Sequence, residues 1–440
     1  MPAPLLHVET QSTLPPEADA VIIGAGIVGI CAGFFLAERG LKVAVIEKGR
    51  VGGEQSSRNW GWCRQQNRDA RELPMATKSL ALWEHLTRAT GQDLGFRRCG
   101  LLYLSNDEAE IDTWTRWCHF ARDLGVTSHP LDAAAATERG VATGKAWKGG
   151  VFSPDDGIAD PERAAPLIAK ALAARGGVVL QNYAARGLEL EGGRVAGVVT
   201  EHGTIRTKVA ILAAGAWASS FCRQYGIRFP QASIRSSILS IAPGAPLPDA
   251  LHTAQVSITR RGSGGHTFAI SGGARVDPTP QQIRFATSFV PMFFRRRKAL
   301  AAGGLEGWKS GHESLRRWAL DKPTPMEARR ILDPKVDQRQ IDLTVQRAQA
   351  LFPGLERFRV TAQWAGYIDT TPDGVPAIGE TPEVPGLILA AGFSGHGFGI
   401  GPGAGKLIAD LVTGDTPLVD PKPLHPSRFN RAAWGKVAEF

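Results

Sequence analysis

Three glycine-rich turns hold the residues whose types and spacing can do chemistry. The first is Gly24-x-Gly26-x-x-Gly29, with Ile27 and Val28 inside it and Glu47 lying 23 positions past Gly24. This is the spacing of a turn that holds a dinucleotide pyrophosphate. Gly24 permits the tight turn, Gly26 lets the backbone approach the phosphates, and Gly29 lets helix and strand pack closely. A helix beginning there offers free N–H groups and a positive dipole end to an anion. Glu47 accepts hydrogen bonds from a ribose diol, and its charge repels a 2′-phosphate. The second turn runs from Lys48 to Trp62 and contains Ser56, Ser57, Arg58, Asn59, Trp60 and Gly61. Its hydroxyls, guanidinium and small residues suit an extended pyrophosphate and a flat ring system. The third runs from Gly392 to Pro402 through Gly395, His396, Gly397, Phe398, Gly399 and Ile400, and opens a helix that aims N–H groups at such a ring. A second nicotinamide site over 399–405 is not expected, because no βαβ unit with a ribose acid follows.

These turns need elements to position them. Ala20–Ile23 reads as a buried strand, followed by a helix to Arg39, a stop at Gly40 and a second apolar strand ending at Glu47. Residues 72–92 and 107–124 show helical periodicity with a strand over 100–104 between them, and Trp114, Trp117 and His119 read as core. Asp160 as N-cap with Pro161 in the first turn predicts a helix ending at Arg175-Gly176-Gly177. Strands are expected at Val178–Gln181, at 195–200 and twice within 205–214, the last running into Ala214, Gly215 and Trp217. From 229 to 355 the pattern changes. Short alternating strands are expected over 233–241, 255–260, 266–271 and 282–289, as in an antiparallel sheet. A basic helix follows over 293–301 and continues through Trp308 to Leu320, carrying Arg295, Arg296, Arg297, Lys298, Arg316 and Arg317. A strand at Leu387–Ala391 and a helix to Val412 close the pattern, and the tail past Phe429 reads as exposed and irregular.

Composition bounds the function. A chain of 440 residues, 43% hydrophobic and 21% charged, is long enough for two domains with sizeable cores. The net charge of +9 is spread without basic–aromatic interleaving, which argues against nucleic acid and for a surface that draws in anionic substrates. The basic 293–320 stretch reads as a solvated face, with contact to a membrane surface or an electron acceptor as the alternative. Five scattered cysteines without a CxxC pair imply a reducing compartment and neither structural zinc nor a disulfide framework. The first 19 residues lack the apolar core of a signal peptide, and no apolar run reaches the ~18 residues of a spanning helix. A cytoplasmic protein, with peripheral contact at the inner membrane as a variant, is expected.

Ser56-Ser57-Arg58-Asn59-Trp60-Gly61 has the form S-x-R-N-x-G, and 364–379 has the form W-x-G-x-x-x-x-T-P-D-x-x-P-x-I-G. With the Gly392–Pro402 turn, these make the chain resemble the FAD-dependent amine and amino-acid oxidoreductases of the D-amino acid oxidase/glycine oxidase superfamily. The strings 47–58 and 184–189 are similar to the bacterial L-amino acid deaminase branch. The resemblance spans nearly the whole chain and implies an α/β plus α+β fold. A Rossmann-like FAD-binding domain would comprise 19–70, 150–228 and 360–425. A discontinuous antiparallel-sheet substrate domain with helical cover would comprise 71–149 and 229–359.

The resemblance implies non-covalent FAD. It implies cofactor contacts from the residues of the three turns, from Lys48, and from Ala185 (through its backbone, to adenine), Ala214, Gly215, Trp217 and Gly366. It also implies an amino-acid or secondary-amine substrate bearing a carboxylate, and oxygen or a respiratory chain as electron acceptor. Such a carboxylate calls for an arginine clamp. Many relatives place that arginine in the W-x-G element, where this chain has Tyr367-Ile368-Asp369. Arg275 aligns with the deaminase clamp, Arg260 and Arg261 lie near it in sequence, and His396 and Tyr367 complete the candidate catalytic set. Two other functions stay open on sequence alone. One is a 2-hydroxy acid dehydrogenase of related fold, the other a flavin-bearing subunit of an electron-transfer complex.

Overall fold

The structure, a computed structural model, describes residues 3–429 except 245, 271–272, 310–316 and 356. Ser271, Arg316 and the tail past Phe429 therefore lie outside the described residues. Among those described, two large sheets share the chain. The first has six strands in the order Ala377–Glu380, Leu387–Ala391, Ala210–Leu212, Ala20–Ile23, Val43–Glu47, Val178–Gln181. All its pairings are parallel except the one between Ala377–Glu380 and Leu387–Ala391. Parallel strands covered on both faces read as unbroken apolar runs, and AVII and LILAA are fully buried in this way.

Helix Ile27–Glu38 lies on this sheet between helices Ala164–Ala174 and Gly401–Thr413. Ten of its residues, from Ile27 to Leu36, are buried, so it shows no polar face. Each large apolar side chain buried here contributes roughly 1.5–3 kcal/mol. The glycines at 403 and 405 serve this packing. A Cβ on Gly405 would fall 2.5 Å from Cys31 Cβ, and one on Gly403 2.4 Å from Ser79 Oγ.

The second sheet has ten strands and is mixed rather than antiparallel. Its longest strands, Ala232–Ile241 and Val360–Thr370, pair antiparallel along their whole length. Ala250–Thr253 pairs parallel with Leu101–Ser105, and Ala274–Val276 parallel with Leu300–Ala302. Gly149–Ser153 and Val360–Thr370, at the edges of segments assigned by sequence to the first sheet, belong to this one. Arg235 crosses to Asp277 with Nε–Oδ2 at 2.6 Å and Nη2–Oδ1 at 3.1 Å, a buried two-point ion pair.

Three local expectations change. The stretch 282–289 is not a strand: Thr279 caps helix Pro280–Arg284 in a reciprocal box with Gln282, and a 3-10 turn follows over Ala286–Phe289. The basic helix stops after Arg296, and the chain turns back as strand Leu300–Ala302 ahead of Gly303-Gly304. Asp160 accepts from Glu162 N at 3.0 Å, but the regular helix begins only at Ala164. Helix Gln338–Leu351, which sequence reading missed, packs on the second sheet through Ile341, Ala348 and Leu351.

His266, in strand His266–Ala269, is 3% exposed, and burial pushes its imidazole down to about 4. In the unfolded chain it titrates near ~6.5. Between these values the unfolded chain binds a proton that the folded one does not, so stability falls as pH drops below ~6.5. Urea unfolding at pH 7 and pH 5 measures this loss. It is expected to be smaller in His266→Gln than in the parent by about 2 kcal/mol.

Candidate functional site

The three turns meet at the carboxyl ends of the parallel strands. Gly24 has φ +110°, and a Cβ there would lie 2.4 Å from Ala213 O. Behind it, a Cβ on Gly29 would lie 2.1 Å from Gly24 O, so strand and helix touch backbone to backbone. Helix Ile27–Glu38 has no side-chain cap of its own, and Ile27 N donates to Ser56 Oγ at 2.8 Å. The serine of the second turn therefore stands over the helix N-terminus. Glu47 accepts from Ala25 N at 3.0 Å and Gly49 N at 2.7 Å, and burial raises its pKa.

The second turn is folded by its own side chains. Asn59 Nδ2 donates to Gln55 O and Ser56 O, while Gly61 N donates to Asn59 Oδ1 at 2.7 Å. Arg58 is buried, donating to Ala365 O at 2.8 Å and pairing with Asp333 at 3.1 Å. Gly366 permits this, since a Cβ there would fall 3.2 Å from Arg58 Cβ. Glu54, which sequence reading passed over, ties the turn together. It takes Lys48 Nζ at 2.5 Å, Leu332 N at 3.0 Å and Trp217 Nε1 at 3.3 Å, and Lys48 lies over the Trp217 ring.

In the third turn, Ser394 (φ +52°) and Gly395 (φ +83°) bend the chain back on itself. Gly399 O accepts from Trp83 Nε1 at 2.9 Å, and a Cβ on Gly399 would fall 2.6 Å from Trp62 O. His396 Nδ1 lies 2.9 Å from Glu72 Oε2, and Glu72 is fully buried. Burial, then the neighbouring Arg68, pushes the His396 imidazole down to about 4.

One cavity of about 1080 Å³ joins the turns to the second sheet. Of the sequence-selected residues, its walls contain Gly26, Ile27, Val28, Ser56, Arg58, Asn59, Trp60, Trp62, Gly215, Gly366, Gly395, His396, Gly397, Phe398 and Gly399. Gly24, Gly29, Glu47, Lys48, Ser57, Gly61, Ala185, Ala214, Trp217 and Ile400 support those walls without lining the cavity. Three candidate catalytic residues do not line the cavity. Ala274 and Val276 line the cavity, so strand alternation turns Arg275 away, to Asp337 at 2.5 Å. Arg260 is exposed at a strand end, 3.4 Å from Asp249. Tyr367 sits between the lining residues Gly366 and Ile368 and faces the opposite side, in a cluster with Trp217, Met326 and Leu332.

Besides Arg58, other guanidinium groups stand in the cavity. Arg64 and Arg68 line it, on the loop that leaves the second turn, with Asn67 at φ +59° between them. Asp156 holds that loop by accepting from Gln65 N at 2.7 Å and Gln66 N at 3.1 Å, and burial raises its carboxyl to about 6. Arg64 donates to Tyr103 OH at 2.8 Å. Arg68 is 2% exposed, and its Nη1 has no hydrogen-bond partner among the described residues. Burial, then repulsion from Arg64, lowers Arg68 to about 10. Arg295 and Arg296 line the cavity as well, whereas Asp369 is the one acid among its lining residues. Asp369 is already engaged by Gly392 N and Gln231 Nε2. Beside the arginines, Trp62, Tyr103, Trp114 and His252 pack ring on ring, with Tyr103 and His252 centroids 4.6 Å apart. The sequence did carry a signal for this pair, an Arg-x-x-x-Arg in polar context directly after the second turn.

A dinucleotide with a flat ring fits these residues. At the cavity wall the buried Arg58 Nε and Trp62 Nε1 both lack hydrogen-bond partners among the described residues, and the start of helix Ile27–Glu38 opens into the cavity. Known proteins agree. The chain is 27% identical over 420 residues to a glycine oxidase of Geobacillus kaustophilus, covering 93% of this chain and 97% of the relative. It is 27% identical over 433 residues to a human mitochondrial sarcosine dehydrogenase, covering 95% of this chain and 42% of that longer protein. The solved L-amino acid deaminase of Proteus myxofaciens, in complex with anthranilate, superimposes with a TM-score of 0.92 at 28% identity, over 98% of this chain and 97% of that one. The family model described as DAO, FAD dependent oxidoreductase, matches residues 19–411, and the chain belongs to that family.

Proposed function

We propose that this chain oxidises the carbon–nitrogen bond of an amino acid or related secondary amine whose carboxylate is held by Arg64 and Arg68. The observation that carries this reading is the buried Arg68, with a guanidinium nitrogen that has no hydrogen-bond partner among the described residues, in a cavity whose single lining acid is already engaged. The carboxylates of Glu72 and Asp156 act on Arg68, but burial and repulsion from Arg64 outweigh them, and a bound carboxylate offsets that cost. Arginine is suited to this because its fork meets both carboxylate oxygens. The cavity is also consistent with the relatives, whose names cover glycine, sarcosine and L-amino acids.

On this reading the strands of the first sheet, from 19–70, 150–228 and 360–425, form the cofactor-binding unit. The second sheet with its helical cover, from 71–149 and 229–359, forms the substrate unit, joined by the strands Gly149–Ser153 and Val360–Thr370 noted above. Bound FAD supplies the two-electron acceptor. The chain's own residues orient the substrate: the arginines fix the carboxylate, and the rings of Trp62, Tyr103, Trp114 and His252 exclude water and hold the rest. Anaerobic mixing of the purified holoprotein with amino acids, N-alkyl amino acids and 2-hydroxy acids tests this. Flavin bleaching by an amino or N-alkylamino acid is expected. Bleaching by 2-hydroxy acids alone, or by none of the panel, overturns the reading.

A further inference from the structure

We infer that Glu72 and His396 form a proton-accepting pair. Glu72 holds the imidazole by Nδ1–H, and the Nε2 lone pair takes the proton of the substrate ammonium once the substrate's anionic end sits on Arg68. The inference rests on the carboxylate reading above. Its basis is geometric. A carboxylate is an acceptor only, so the 2.9 Å contact to Glu72 Oε2 places the imidazole proton on Nδ1. His396 lines the cavity and is the partly exposed member of the pair, 24% against 1% for Glu72.

Glu72 needs a reason to be there. It is buried at the start of helix Leu73–Thr90, and its Oε1 has no hydrogen-bond partner among the described residues. Such a group costs stability unless it does something. The charges around it are arranged to matter. Arg64 and Arg68 bear on the imidazole from the cavity side and oppose its protonation, while Glu72 favours it from behind. Arg71 and Arg428, beyond Glu72, are tied to Asp373. A carboxylate on Arg68 offsets the cation that bears most on the imidazole, and the basicity of His396 rises when substrate is present. Without substrate the imidazole stays neutral and ready to accept.

The step balances without a redox partner. The ammonium N–H bond breaks, its electron pair stays on nitrogen as the lone pair that C–N oxidation requires, and the proton joins the Nε2 lone pair. His396 is the catalytic residue, and Glu72 acts through it as a positioning residue.

Calorimetry of benzoate binding to holoprotein, in two buffers of different ionisation enthalpy, counts the protons taken up. Uptake approaching one proton per benzoate at a pH above 5 is expected, with uptake lost in His396→Asn and reduced in Glu72→Gln. In anaerobic flavin reduction by the best amine found, His396→Asn is expected to slow the limiting rate by about 100-fold. Glu72→Gln is expected to move the pH midpoint of that rate, which a merely structural role would leave in place. Flavin retention checks the folding of both variants. If benzoate binds without proton uptake and both variants keep the parent pH profile, the pair has no such role. If benzoate does not bind the parent at all, the arginine clamp itself is wrong.

Discussion

Replacing Arg68 with leucine weakens benzoate binding to the holoprotein by about 100-fold, or roughly 3 kcal/mol, and raises KM for the amine substrate to match. The effect is large because the guanidinium is almost wholly enclosed and its Nη1 has no partner among the described residues. A charge-assisted pair in such surroundings is screened far less than one at the surface. The same variant is not expected to unfold more easily. It removes a buried cation for which the cost of burial and the repulsion from Arg64 outweigh the attraction of Glu72 and Asp156. The backbone contact from Trp117 Nε1 to Arg68 O survives the substitution. Arg68→Lys keeps the charge and loses the fork, and about tenfold of affinity goes with it. Titration of the flavin spectrum with benzoate measures all three proteins. Parent-like affinity in Arg68→Leu would return the clamp to another residue. Arg275→Leu serves as the contrast, because that side chain is spent on Asp337 and Ala302 O. It leaves benzoate affinity within about twofold, since it touches nothing in the cavity.

Gly29→Val yields protein without flavin. The new Cβ lies 2.1 Å from Gly24 O, a contact with backbone rather than with a movable side chain. Either the helix start shifts away from the strand or the Gly24 turn opens, and both spoil the phosphate-facing geometry. The cost exceeds the roughly 1–3 kcal/mol of ordinary overpacking, because no rotamer change relieves it. Flavin occupancy, read from visible absorbance against protein, is expected to fall below about a tenth of the parent value, and added FAD does not restore it. Gly354→Ala is the control: Gly354 has open space around its Cβ direction and an ordinary φ. A yellow Gly29→Val protein would mean that close strand–helix packing is not what holds the cofactor.

Much of the first, parallel sheet was legible before any coordinates. Its signals are local: a strand, three glycines at fixed offsets, a helix, a second strand and an acid all fall within Ala20–Glu47. The strands Ala20–Ile23, Val43–Glu47, Val178–Gln181 and Leu387–Ala391 stand where the apolar runs place them. Covered on both faces, such strands admit one reading. The second, mixed sheet and its cover were less legible. A stretch such as 282–289 alternates like a strand, yet the Thr279–Gln282 capping box makes it helical. Gly303-Gly304 marks where the basic stretch has already turned back into a strand.

The amino-acid sequence by itself determined the glycine-rich strand–turn–helix at Ala20–Glu47 and that the family is one of FAD enzymes. Those properties follow from backbone geometry that particular residue types impose at short range. Which charged side chains face the cavity was decided only by the tertiary structure. Arg275 and Arg68 are alike as letters. One lies on a strand whose neighbours take the cavity face and finds Asp337, 62 residues away in sequence, while the other is folded inward by a loop that Asp156 pins from 90 residues off. Glu72 meets His396 across 324 residues. Pairings at that separation are set by how the two sheets close over one cavity, and nothing in the local sequence around either partner encodes them.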